Sequence, residues 1–363
     1  MVILHISAIS GEKSSGMSVV IPEHVKNQRD LAEVAMFNCV DYIPENAKDA
    51  YKVFLSKNYE EFDISKLEKP FSKPDLVVFH GIYILYYIKI YRNLKKHEIP
   101  YIILPHGSLT KKAQKKKRIK KVIGNKLFFD NFIKNANYIQ YLSEMEKNES
   151  SKYKKQSIVL GNGIYVPDNK LKVNFDIEKL KFVYIGRLDI YHKGLDILLE
   201  AIKIVKDEIK ERNIIFNIYG PFNGQEQKMK QFIKKYDLDN IAKIHNGIYK
   251  EEKRKVLLDN DIFIQTSRSE GQPLGIMEAM SYGLPCIVTE GTSFAEVVND
   301  NKCGYSSSNN ANEISKNILK VICNADKIYE FSNNAYKYAK NNFSWDLISK
   351  MTIEKYKEIK RNI

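Results

Sequence analysis

Ser269-Glu270-Gly271-Gln272-Pro273-Leu274-Gly275-Ile276-Met277-Glu278-Ala279-Met280 follows directly on the apolar run Ile262-Phe263-Ile264-Gln265. A short apolar run, a loop and then a helical stretch form the repeating unit of a parallel α/β sheet. Pro273 suits the first turn of the helix, where its missing N–H costs nothing. Glu270 then stands just ahead of the helix and Glu278 stands within it, more than a turn along. The N–H groups near Gly271, Gln272, Pro273 and Leu274 point out of the helix N-terminus, an arrangement that favours anionic or hydroxyl-rich ligands. A carboxylate at each end of such a segment can accept bonds from two sets of hydroxyls.

The same alternation runs outward in both directions. In the first half, apolar runs at 2–6, 75–79, 101–104, 138–141 and 157–160 predict strands. Between them, 119–133 predicts a helix with Ile119, Val122, Ile123, Leu127 and Phe128 on one buried face. A polar, proline-bearing stretch near 166–174 reads as a linker. The pattern then restarts, with strands at 182–185, 216–219, 243–245, 261–265 and 286–288. Helices are expected at 194–208, 225–236, 250–258, 273–282 and 293–299. The expected architecture is α/β, with one Rossmann-like domain over 1–166 and a second over 167–343, followed by a terminal helix over about 344–363.

A chain of 363 residues suits two cores of this kind. With 44% apolar and 28% charged residues it has a globular composition. No run reaches eighteen apolar residues, so no membrane span is expected. The opening MVILHISAIS lacks a basic region and reads as a buried strand, not a signal peptide. Four cysteines without CxxC spacing suit reduced thiols in a cytoplasmic protein. The net charge of +14 is concentrated: residues 81–160 hold 18 Lys and Arg against 5 Asp and Glu. Its centre is Lys111, Lys112, Lys115, Lys116, Lys117, Arg118, Lys120 and Lys121. Such a run speaks of a partner. It suits anionic lipid at the membrane surface, or the phosphates of a lipid-linked molecule. Nucleic acid ranks last, because the run lacks interleaved aromatics and any nucleic-acid motif.

Gly186-Arg187 ends the strand at 182–185, and Lys193 follows. An Arg fork and a compact Lys charge match a diphosphate, and ligands of open α/β sheets bind at this strand edge. The loop 10–17, with Gly11 and Gly16, follows the first strand and lets backbone N–H groups approach a phosphate or sugar. It is not a P-loop, since Glu12 precedes Lys13 where that motif requires glycine. Asp259-Asn260-Asp261 and Asp237-Leu238-Asp239 spell D-x-D, a weak metal signal. Asp261 is expected to start a strand, and Asp237 and Asp239 to lie in a turn. No essential metal is expected, because Arg187 and Lys193 supply the positive charge.

Glu270 to Glu278, continued by Ala279-Met280-Ser281-Tyr282-Gly283-Leu284-Pro285-Cys286-Ile287, resembles the E-x7-E signature of family 4 retaining glycosyltransferases. Gly186-Arg187-Leu188 with Lys193-Gly194-Leu195-Asp196 resembles the family's diphosphate block. The segment 215–220, His245-Asn246-Gly247 and Phe343-Ser344-Trp345-Asp346 resemble three further blocks in the same order. The resemblance implies the GT-B fold, two Rossmann-like domains facing each other across a cleft, with the last helix returning to the first domain. It implies transfer of a hexosyl group from an NDP-sugar, UDP-sugar favoured, with retention and without a cofactor. Glu270 with Gly271, Gln272, Pro273 and Leu274 would hold the sugar, Glu278 the ribose and Asn246 the base. Arg187 and Lys193 would stabilise the leaving diphosphate. His106, in His106-Gly107 after the strand at 101–104, would face the donor sugar, and His80, before Gly81, the acceptor. Similarity to bacterial surface-polysaccharide and capsule transferases implies a lipid-linked glycan acceptor at the inner face of the cell membrane. Rival readings are a sugar-nucleotide 2-epimerase or phosphorylase on the same fold, or a non-catalytic basic membrane- or nucleic-acid-binding module. Isomerised donor formed without acceptor would mark the epimerase. Indifference to Glu270→Ala would mark the binding module.

Overall fold

The computed structural model describes residues 1–12, 16–115, 117–150 and 152–363. The chain divides into two compact units, Met1–Gly163 with Trp345–Ile363, and Ile164–Ser344. Each is a parallel sheet covered by helices, as the alternation of apolar runs and amphipathic stretches requires.

The first unit contains β1 (Val2–Ser7), β2 (Glu33–Asn38), β3 (Lys52–Leu55), β4 (Leu76–His80), β5 (Tyr101–Leu104), β6 (Tyr138–Tyr141) and β7 (Ser157–Val159). Their order is β3-β2-β1-β4-β5-β6-β7, with every pairing parallel. The order reverses between β1 and β4, so the carboxyl ends of those strands open a crevice at the topological switch point. β4 is buried on both faces along its length, which explains its unbroken Leu76-Val77-Val78-Phe79 run. The helix Trp345–Arg361 closes this unit, burying Ile348, Ile353, Tyr356 and Ile359. The Tyr356 hydroxyl donates to Gln140 Oε1 at 2.8 Å.

The second unit contains β8 (Lys181–Ile185), β9 (Ile215–Tyr219), β10 (Ala242–His245), β11 (Ile262–Gln265), β12 (Cys286–Thr289) and β13 (Gly304–Ser307). Their order is β10-β9-β8-β11-β12-β13, again all parallel. The switch point lies between β8 and β11. Phe182 and Phe216 stack in the core with ring centroids 4.5 Å apart.

Two features depart from the sequence reading. β2, β3 and β13 were not among the expected strands. β3 and β13 are edge strands of only four residues, β13 with Tyr305 as its one large apolar side chain, and β2 carries Ala35 and Met36, which favour helix. The expected helix over 119–133 is broken. Lys117 takes a left-handed conformation at φ 53°, a helix spans Arg118–Gly124, a π-turn Asn125–Phe129 and a helix Asp130–Asn135. The added residue of the π-turn rotates the register. Phe129, Phe132 and Ile133 are therefore buried, while Ile119, Val122, Ile123, Leu127 and Phe128 are 41% to 77% exposed.

Candidate active site

The carboxyl ends of β8 and β11 gather most of the second-unit residues. Gly194 takes φ 66°, and a Cβ there would lie 1.9 Å from the Thr266 carbonyl oxygen, so only glycine lets the two loops approach. The Thr266 hydroxyl donates to the Gly194 carbonyl at 2.8 Å and the Arg268 N–H to the His192 carbonyl at 3.0 Å. A Cβ on Gly220 would sit 2.1 Å from the Gly186 carbonyl, so the end of β9 closes against the end of β8.

Within this frame Lys193 Nζ lies 2.5 Å from Glu270 Oε1, with side chains only 14% and 11% exposed. Ser267 Oγ donates to the same oxygen at 2.6 Å and Gln265 Nε2 at 3.0 Å. Three donors thus converge on Oε1, and among the described residues Oε2 carries no recorded partner. Arg187, exposed after β8, has no carboxylate partner among the described residues. Its backbone carbonyl accepts from the Tyr184 hydroxyl at 2.9 Å, which fixes the turn. At the carboxyl end of β8, then, stand an exposed guanidinium without a carboxylate partner among the described residues and an ammonium paired one-to-one with Glu270.

The helix Leu274–Tyr282 begins one residue after Pro273. A Cβ on Gly275 would lie 3.4 Å from the Ile185 carbonyl, so this helix start sits against the end of β8. Gly271, Gln272 and Leu274 are partly exposed there, and Gly186 stands at the end of β8. Glu278 pairs with Lys253 rather than with the Lys193–Glu270 group. Asn246 is exposed after β10, its Oδ1 accepting from the Gly247 N–H at 2.7 Å. His245 stacks on Tyr219 at 4.3 Å, and burial lowers its pKa. Asp261 has a structural role: it accepts from the Lys181 N–H at 2.9 Å and pairs with Lys172 at 3.0 Å.

In the first unit His106 follows β5 at φ 48°, a strained conformation for a non-glycine residue and one found often at functional sites. Glu146 holds the turn. Its buried carboxylate accepts the Gly107 N–H at 2.6 Å and the Leu142 N–H at 2.8 Å. Burial raises the Glu146 pKa, opposed by those two bonds. His80 corrects the sequence reading. It is fully buried, with His5 and His106 on its two ring nitrogens, so no ring nitrogen remains for an acceptor. Gly16 opens the helix Gly16–Gln28, with nothing within 4 Å of where a Cβ would stand. Residues 13–15 of the glycine-bearing loop lie outside the described residues.

Lys111, Lys112, Lys115, Lys117, Arg118 and Lys120 are exposed, and Lys116 lies outside the described residues. Lys121 folds inward, donating to the Ala113 carbonyl at 2.6 Å and lying 4.9 Å over the Tyr83 ring. Among the described residues, no helix is long and apolar enough to cross a membrane.

Sequence reasoning missed Glu146, His5, Gln28 and the bidentate Arg268–Asp196 pair, both of whose bonds are 2.7 Å. Ser143-Glu144-Met145-Glu146 spells a capping box that points to a helix start, and Ser143 does accept from the Glu146 N–H at 3.1 Å. Nothing local marks the other three.

Residues 167–341 match the family described as glycosyl transferases group 1. An uncharacterised glycosyltransferase of Methanocaldococcus jannaschii is 27% identical over 256 residues, covering 69% of this chain and 66% of the relative. A putative colanic acid biosynthesis glycosyltransferase of Escherichia coli is 27% identical over 136 residues, covering 35% of this chain and 32% of the relative. The chain therefore spans about two thirds of the first relative and about one third of the second. Among solved structures, Anabaena HepE in complex with UDP and glucose superposes with a TM-score of 0.74 at 17% identity, covering 99% of this chain and all of that one. The two Rossmann-like sheets and these neighbours define the GT-B fold. Fold, family match and relatives together support a GT-B glycosyltransferase.

Proposed function

We propose that the chain transfers a hexosyl group from a nucleoside-diphosphate sugar, UDP-sugar favoured, to a hydroxyl of a lipid-linked glycan, with retention at the anomeric carbon. The observation that carries this reading is the Lys193–Glu270 pair set with Arg187 at the switch point of the second sheet. Arg187 and Lys193 take the diphosphate and stabilise the charge that grows as the sugar departs. Glu270, anchored through Oε1, accepts sugar hydroxyls through Oε2. Glu278, screened by Lys253, accepts the ribose hydroxyls. Asn246 meets the base, while Gly271, Gln272, Pro273 and Leu274 present the helix start to the sugar. Gly16 and Gly186 allow close backbone approach. His106 is assigned to a hydroxyl of the donor sugar. No protein nucleophile is assigned: the leaving diphosphate takes the acceptor proton. No metal is required, because the two cations do its electrostatic work.

The donor class is supported by the HepE complex, whose ligands are UDP and glucose, and polysaccharide synthesis by the colanic acid relative. The basic run supports action at the inner face of an anionic membrane. Each surface lysine there contributes about 1 kcal/mol, and Ile119, Val122, Ile123, Leu127 and Phe128 add apolar side chains for the headgroup boundary. The test is turnover of a UDP-sugar panel with a lipid-linked acceptor, followed by determination of the product's anomeric configuration. Transfer with retention, cut at least a hundredfold by Arg187→Ala and Lys193→Ala, is expected. Inverted product, or variants that turn over normally, would remove the mechanism.

A further inference from the structure

Four of the seven histidines, His5, His24, His80 and His106, cluster at the switch point of the first sheet. The sheet register explains why. His5 on β1 pairs with Val78 on β4, and His80 stands two residues further along the same face. His80 pairs with Leu104 on β5, and His106 again stands two residues beyond. Diagonal neighbours on one face lie within reach of long side chains, so the three rings form a staircase across adjacent strands. Successive ring centroids are 5.3 and 5.4 Å apart, with planes inclined by 23° and 26°.

The staircase is hydrogen-bonded end to end. His106 Nε2 lies 3.1 Å from His80 Nδ1, His80 Nε2 lies 3.0 Å from His5 Nδ1, and His5 Nε2 lies 3.1 Å from Gln28 Oε1. A neutral imidazole has one N–H and one lone pair, so each ring's tautomer dictates the next. Gln28 Oε1 is an acceptor, so His5 carries its proton on Nε2 and presents a lone pair at Nδ1. His80 must then be Nε2–H, and His106 Nε2–H in turn. The lone pair left over is His106 Nδ1, which has no hydrogen-bond partner among the described residues. Burial keeps all three rings neutral, holding His5 and His106 down to about 3 and His80 well below its ordinary value. The fold holds the Gln28 amide at the head of this chain although its Nε2 is buried without a partner among the described residues.

We infer that Gln28, His5 and His80 are positioning residues that fix His106 as its Nε2–H tautomer, so that Nδ1 is a permanent acceptor for a hydroxyl of the bound sugar. The use of that acceptor rests on the donor-facing reading of His106; the tautomer order does not. The strained φ of His106 and the Glu146 bond to Gly107 hold the ring's backbone in place, and the relay sets its proton. Nothing on β5 alone could do this, because the controlling acceptor sits on the helix Gly16–Gln28.

The test uses the full chain labelled with 15N-histidine. A long-range 1H–15N correlation at pH 7 reports which ring nitrogen carries the proton, without substrate. His5, His80 and His106 are expected as Nε2–H. His5→Phe removes the acceptor beside His80 and should give mixed tautomers at His106. It should also raise the donor KM about fivefold to tenfold with little change in UDP binding. His5→Asn restores an acceptor there and should restore both readouts. His106 found as Nδ1–H in the wild type, or unchanged in His5→Phe, overturns the relay. Tautomer disorder with an unmoved donor KM overturns the positioning role. If the wild type turns over no donor at all, the activity reading fails while the tautomer spectrum still decides the relay.

Discussion

Lowering the pH from 7 to 5.5 should strip the first unit of about 5 kcal/mol of stability, through its buried histidines. His5 and His106 are held down to about 3 and His24 to about 4, and His80 is pushed well below its ordinary value, in each case first by burial. Their unfolded value is about 6.5. Between the folded and unfolded values the unfolded chain binds the extra proton, so stability is full above about 6.5 and falls as the medium acidifies. Each neutral ring then costs a little over 1 kcal/mol over this interval, and four together about 5. That is comparable to the whole stability of many domains. The buried Glu146, whose pKa is raised, opposes the trend, but it is one group against four. Trp345, the sole tryptophan, lies edge-on to His24 with centroids 4.9 Å apart and reports the first unit directly. Guanidinium titrations followed by its fluorescence at the two pH values give the difference. A loss under about 1 kcal/mol would mean that the rings are not held neutral, and would refute the reasoning.

Three further perturbations have definite expected outcomes. Gly194→Ala places a Cβ 1.9 Å from the Thr266 oxygen at φ 66°. The second unit should lose several kcal/mol, read as a fall in Tm, and an unchanged Tm would contradict the packing of those loops. Glu146→Ala leaves the Gly107 and Leu142 N–H groups unpaired. A loss of about 1–3 kcal/mol per group is expected by calorimetry, with a raised donor KM; an unchanged protein would deny that Glu146 holds the His106 turn. Converting Lys112, Lys115, Arg118 and Lys120 to Glu should abolish flotation with anionic vesicles in low salt, whereas Leu127→Asp should remove the salt-resistant fraction. Binding that survives both changes would place the membrane surface elsewhere.

The second unit was the more legible half. Its strands β8, β11 and β12 each hold an unbroken apolar run of at least three residues, and the loop from Ser267 to Pro273 is punctuated by Gly271 and Pro273, whose backbone demands are local. Lys193 and Glu270 were legible as residues, but their contact was not. It depends on Gly194 letting its loop meet that of Thr266, 72 positions away in sequence. The segment 119–133 misled because its apolar spacing fits an uninterrupted helix, whereas Lys117 and the π-turn rotate the buried face onto Phe129, Phe132 and Ile133. The histidine staircase was invisible for a different reason. Its members lie at positions 5, 80 and 106, and only the strand order β1-β4-β5 and a two-residue register step make them neighbours. His80 read alone suggests a surface ligand; in the sheet it is an interior link.

Calorimetric titration of UDP and of uridine into the wild type, Arg187→Ala and Lys193→Ala bears most directly on the claim that two cations at the switch point of the second sheet hold a diphosphate. The account predicts that each substitution weakens UDP at least tenfold while the binding of uridine, which has no phosphates, stays the same. Equal UDP affinity in all three proteins would contradict it.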